Sequence, residues 1–159
     1  MKLDEKDMEL LDELQKDCRQ SLKKISRKLN MSITTVYDRM KKLEREGVIK
    51  GYKAIIDPDK VDEPFLVFML VHLEPHTINE NFLNHRDIIK KIAMLPNVLE
   101  AHSVAGEWDA VLKIRTKDTH QVNNLVDILL RIEGVRKTHS IDVWETLKES
   151  TELSLRKKI

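Results

Sequence analysis

An α+β chain in two parts is what this sequence predicts. Apolar residues recur at helical spacing through residues 3–49. From Phe65 onward, apolar strand-like runs alternate with helical stretches in the order strand, helix, strand, strand, helix, strand. Between the two lie Asp57-Pro58-Asp59 and Val61-Asp62-Glu63-Pro64, turn-forming residues that mark a linker.

In the first part, Leu3 to Asp17 forms a helix capped by Asp4, with Leu10, Leu11 and Leu14 inward. Ser21 caps a second helix from about Leu22 to Leu29, whose stripe is Leu22, Ile25 and Leu29. Asn30 tolerates the left-handed conformation that ends such a helix. Ser32 then caps a third helix, where Ile33, Val36, Met40 and Leu43 make one apolar face and Gly47 ends the run. The opposite face carries Thr34, Asp38, Lys41 and Arg45, with Thr35, Tyr37 and Lys42 on its shoulders. An apolar face docked inward and a polar, basic face outward is the layout of a helix-turn-helix reading helix. An ordinary amphipathic surface helix has the same pattern.

Charge separates those readings. Over the whole chain the formal net charge is only +1. Residues 1–18 hold three lysines against seven acids, a local −4, whereas residues 19–53 hold eleven Lys/Arg against three acids, a local +8. A basic segment on this pattern is what phosphate contact needs. Ser32, Thr34, Thr35, Tyr37 and Asp38 are the candidate base readers, and Lys41, Lys42, Arg45 and Ser21 the phosphate anchors. Arg39 either joins them or pairs with the acidic first helix. Val48 to Ile56 is rich in strand formers and predicts a short strand or wing.

The second part begins with FLVFMLVHL from Phe65, a strand with apolar residues on both faces. Asn79 to Leu95 predicts a helix with Phe82, Ile89, Ile92 and Ala93 inward, stopped at Pro96-Asn97. Val98 to Val104 and Asp109 to Thr116 predict two strands, the latter with Ala110, Leu112 and Ile114 on one face. Lys117 to Ile132 predicts a helix built on Val122, Leu125, Val126 and Leu129, and Val135 to Val143 the last strand. This order is the ferredoxin-like βαββαβ sandwich, with both helices on one face of four antiparallel strands. Its other face needs cover, and a second copy supplies it. The domains expected are thus 1–50, the helix-turn-helix; 51–64, strand and linker; 65–146, the sandwich; and 147–159, an extended or loosely helical tail.

Composition narrows the function. At 41% hydrophobic and 35% charged, the chain can bury a core and is not disordered. It has no apolar run long enough to span a membrane and no signal-peptide pattern, and its single cysteine fits a reducing cytoplasm. Six histidines show no zinc-ligand spacing, so no metal is expected. Phosphate loops, serine elbows and flanking carboxylate pairs are missing too, so neither catalysis nor a cofactor is expected.

Several stretches together resemble one family: Leu3-Asp4 with Asp7, ISRKLNMS with Arg39, LEREGVIKGY, IIDP, VAGEWDAVLK, and the closing GVRKTHSIDVWETLKEST. In order and spacing they are similar to the Lrp/AsnC transcription regulators over nearly the whole chain. The resemblance implies a double-stranded DNA partner, dimers joined through the C-terminal sheets with heads often exchanging the short strand, and assembly into tetramers or octamers. It also implies a small effector, usually an amino acid, bound between dimers. Gly106, Glu107, Trp108 and Asp109 match the effector loop, and Thr138, His139 and Ser140 match pocket positions on the last strand. Glu107 stands where many members have Asp, and Trp108 replaces a smaller aromatic. Glu107 or Asp109 would meet an ammonium group; alternatively Gly106 simply permits the turn and Asp109 caps it. Two other readings compete: an architectural DNA-binding protein without an effector, and a tetrapyrrole-precursor decarboxylase on the same plan.

Overall fold

The computed structural model describes residues 2–74 and 84–155. They form two compact units, one of the described residues up to 55 together with 148–155, the other of the described residues between 56 and 147. The start of the expected helix at Asn79, and Phe82, lie outside the described residues.

The first unit holds three helices: α1, Glu5–Lys16; α2, Leu22–Leu29; and α3, Ile33–Arg45. Asp4 caps α1 in a reciprocal box with Asp7, each side chain accepting from the other's N–H. Ser21 accepts from the Lys24 N–H and caps α2. Asn30 at φ 50° is left-handed, and the Met31 N–H donates to Ser26 O at 3.0 Å, which turns the chain sharply into α3. Leu10, Leu14, Ile25, Leu29, Val36 and Leu43 are the buried core, with Leu11, Leu22 and Met40 half-buried around it. Ile33 departs from expectation: it is 48% exposed. It stands at the first helical position, where its stripe has run past the end of the core beneath it.

The stretch from Val48 to Ile56 is a second departure, since no strand forms there. A strand needs a neighbour to fill its N–H and C=O groups. The described chain offers none, and Ile55 and Ile56 stand exposed. Asp57 instead caps a short 3₁₀ turn, Pro58–Val61. Residues 143–155 form no helix or strand, and Leu153 is gripped by the Gln15 side chain of α1. The Leu153 N–H donates to Gln15 Oε1 at 2.7 Å, and Gln15 Nε2 donates to Leu153 O at 3.1 Å.

In the second unit the strands are β1, Phe65–Leu73; β2, Val98–Ser103; β3, Ala110–Thr116; and β4, Val135–Asp142. The helices are α4, His85–Ala93, and α5, Thr119–Leu130. The strand order is β2-β3-β1-β4 with every pair antiparallel. Val67, Met69, Val71 and Leu73 alternate inward from β1, and Ala110, Leu112 and Ile114 from β3, against Ile88, Ile89, Ile92, Val122, Leu125 and Leu129 of the helices. Ala93, expected inward, is exposed, and Ile88 takes an inward place instead. The outer face carries Phe68 and Ile141 opposite each other in the register, both partly exposed.

Candidate nucleic-acid interface and effector loop

Helix α3 holds its outward face by three anchors: Val36 and Leu43 fully buried beneath it, and Ser32 capping its start. Thr34, Thr35, Tyr37, Asp38, Lys41, Lys42 and Arg45 are consequently all exposed together. Ser32 Oγ accepts from the Thr35 N–H at 3.0 Å and lies 2.8 Å from Thr35 Oγ1. Lys41 pairs with Glu44 at 2.7 Å, one turn along the same helix, which raises the lysine's pKa and lowers that of Glu44. Exposed i,i+3 pairs of this kind are weak, so a phosphate can displace it. Glu44 also accepts from Tyr52 Oη at 3.1 Å; burial, and then that carboxylate, pushes the phenol up to about 12.

Arg39 is placed differently from the rest. Its Nη1 donates to both Asp4 oxygens at 2.9 and 2.7 Å and to Asp7 Oδ1 at 2.6 Å. Its guanidinium holds the Asp4 carboxyl below the usual range. The acidic first helix therefore takes up this cation, and the outward basic set is Lys41, Lys42 and Arg45. Ile33, which sequence periodicity assigned to the core, lies on the exposed front of α3; its position at N1 was the one available signal.

The loop from Gly106 to Asp109 joins β2 to β3. Gly106 has φ 134°, a conformation other residues rarely adopt, and a Cβ there would meet nothing within 4 Å. The glycine is needed for the turn, and no protein group crowds it. Asp109 straps the loop to β1 in both directions: its N–H donates to Val71 O at 3.0 Å, and its Oδ2 accepts from the Leu73 N–H at 2.8 Å. That strap falls where the β1–β4 ladder is irregular, between His72 and Leu73. Asp109 thus does the capping job, with His72 Nδ1 3.0 Å from Oδ2 and His85 Nδ1 3.8 Å from Oδ1. Replacing Asp109 with alanine is expected to cost the sandwich about 1–3 kcal/mol in a urea melt, because the buried Leu73 N–H loses its acceptor. A loss below ~0.5 kcal/mol would show the strap to be dispensable.

Trp108 lies over the outer sheet face. Its ring stacks on His139 (centroids 6.0 Å, planes 26° apart), meets His72 edge-on at 6.3 Å, and carries the Lys137 ammonium 4.7 Å above it. Glu107 beside it is exposed. The three β4 candidates separate by strand alternation: His139 is paired with Leu70 and faces the loop's side. Thr138 and Ser140, paired with the core residues Val71 and Met69, face the helix side. The structure thus brings Trp108 and His139 together and leaves Thr138 and Ser140 on the opposite face. Among the described residues, no group of three His, Cys, Asp or Glu side chains is arranged to hold a metal, and no helix is long and apolar enough to cross a membrane.

An outward-facing reading helix on one unit, and a loop-bearing ferredoxin-like sandwich as the other, define a two-domain transcription regulator with a helix-turn-helix. Comparison with known proteins gives the family. Residues 3–50 match the winged helix-turn-helix DNA-binding model, and residues 66–153 match the Lrp/AsnC ligand binding domain. The chain belongs to the Lrp/AsnC family of transcription regulators. It is 35% identical over 154 residues to the HTH-type transcriptional regulator FL11 of Pyrococcus horikoshii, covering 97% of each chain. It is 34% identical over 155 residues to the leucine-responsive regulatory protein of Escherichia coli, covering 97% of this chain and 92% of that one. A transcriptional regulator of Neisseria meningitidis, solved as a complex with L-Met, superposes with a TM-score of 0.87 at 25% identity over 98% of both chains.

Proposed function

We propose that this protein is a sequence-specific, DNA-binding regulator of the cytoplasm whose binding or assembly responds to an amino acid. Residues 1–50 are the reading head, 51–64 the connection, and 65–146 the assembly and effector domain, followed by the 147–159 tail. The observation that carries this reading is the exposed front of α3, with Thr34, Tyr37 and Asp38 leading and Lys41, Lys42 and Arg45 behind. Short polar groups at the start of such a helix reach base edges, and the cations further along hold phosphates. A homodimer formed through the outer sheet face covers Phe68 and Ile141, and dimers assemble further into tetramers or octamers. Two heads in one dimer then read a roughly palindromic site with half-sites about 34 Å apart or a multiple of that.

The effector reading is supported by the loop chemistry and by the L-Met complex of the Neisseria relative. Asp109 is held by β1, so Glu107 is the carboxylate that meets the ammonium group, with Trp108 and His139 walling the side chain. Titration calorimetry with the twenty amino acids tests this; no heat from any of them overturns it. Selection of genomic fragments bound by the whole protein, with and without amino acids, tests the main reading. The expected result is an enriched site bound at least ~10³-fold tighter than scrambled DNA at physiological salt. Equal affinity for both would establish an architectural binder instead.

A further inference from the structure

The front of α3 has less hydrogen-bonding capacity to offer a base than its sequence suggests. Ser32 and Thr35 occupy each other, hydroxyl to hydroxyl at 2.8 Å, while Ser32 also holds the Thr35 N–H. Beside the one hydroxyl proton that pair leaves free, the tip presents Thr34, Asp38 and two large side chains, Ile33 and Tyr37, 48% and 49% exposed. These two are four residues apart and share one side of the helix. Lys41 continues the row, its ammonium 5.9 Å from the centre of the Tyr37 ring. The row therefore runs from apolar to aromatic to cationic along one edge of the helix.

A single isoleucine half in water is ordinary on a protein surface. Ile33 is distinguished by its place. Val36 and Leu43 of its stripe are buried beneath the helix and Met40 is half-buried, yet Ile33 projects from the first turn, the part of a reading helix that meets base edges. In the major groove one base edge presents an apolar group, the 5-methyl of thymine. Guanine, cytosine and adenine present donors and acceptors that an isoleucine would only desolvate.

We propose that Ile33 is a specificity-determining residue that packs on the 5-methyl group of a thymine in each half-site, with the Tyr37 ring flanking it. The proposal rests on the DNA-reading function given above. Burying one methyl group against a hydrocarbon side chain changes affinity about four-fold, hence about fifteen-fold for a dimer with two heads engaged.

The experiment compares the selected site, the same duplex with deoxyuridine in place of every thymidine, and scrambled DNA, by fluorescence anisotropy at one salt concentration. Wild-type protein is expected to bind the uracil duplex about fifteen-fold more weakly than the thymine duplex. Ile33→Ala is expected to bind the thymine duplex more weakly by a similar factor and to treat the two duplexes nearly alike. Ile33→Val, a smaller change that retains a branched apolar tip, keeps a reduced preference for thymine and guards against a fold defect in the alanine variant. Ile33→Ala with the full thymine preference overturns the proposal. So does a wild-type protein that prefers its selected site over scrambled DNA yet ignores the missing methyl groups. A wild-type protein with no preference over scrambled DNA overturns the DNA-reading function itself, and this inference with it.

Discussion

Arg39→Ala is expected to cost the head about 3 kcal/mol, lowering the protection of the α1–α3 amides against hydrogen exchange correspondingly. The reason is Asp7, which is 1% exposed and faces the Arg39 guanidinium at 2.6 Å. Removing the arginine strands a buried carboxylate that keeps, among the described residues, the Asp4 N–H at 3.2 Å. The loss comes from the stranded charge more than from the missing attraction. A second substitution, Asp7→Asn in the Arg39→Ala background, should therefore recover much of it. Asp4 adds a pH arm. Its folded pKa is depressed by Arg39, so its contribution is present above the ordinary 3.8 and fades as pH falls through the folded value. A head that keeps its protection in Arg39→Ala would show that the pair is not structural.

The second large effect is on DNA affinity. Replacing Lys41, Lys42 and Arg45 together with alanine should leave the fold intact, because all three side chains are exposed. If each holds one phosphate per head, a bound dimer loses six contacts, and the slope of log affinity against log salt becomes shallower by about five. The loss should be nearly the same on selected and scrambled DNA, since phosphates carry no sequence. An unchanged slope would remove these cations from the interface. Lys41 alone should give a smaller change, because its pair with Glu44 already competes with the phosphate.

Much of this architecture can be read in the sequence, for identifiable reasons. Asp4, Ser21, Asn30 and Ser32 act through their own backbone neighbours, so their roles as caps are local and legible. The same holds for Ala110, Leu112 and Ile114, where alternation alone sets the buried face. The misses are non-local. Periodicity places Ile33 on the stripe of Val36 and Leu43 but cannot say where the core beneath that stripe ends. Strand-forming residues from Val48 to Ile56 cannot pair without a neighbour, and no residue in the segment itself supplies one. Arg39 could equally face DNA or α1 until the chain brought Asp4 and Asp7 under it. The split of His139 from Thr138 and Ser140 was legible, because adjacent strand residues point to opposite faces.

The grip of Gln15 on Leu153 gives the reading head a discontinuous make-up: residues 1–55 and the last described residues of the chain belong to one body. The polypeptide therefore passes between the two units twice, once near residue 56 and once near residue 148. A single protease cut in the 57–64 connection severs only one of these crossings. The severed head would stay seated on the tail through the Gln15 amide and its surroundings. Two exposed hydrogen bonds make a weak hold, so the fragments should stay associated at high concentration and part on dilution. Gln15→Ala should loosen that hold and let the cut head dissociate.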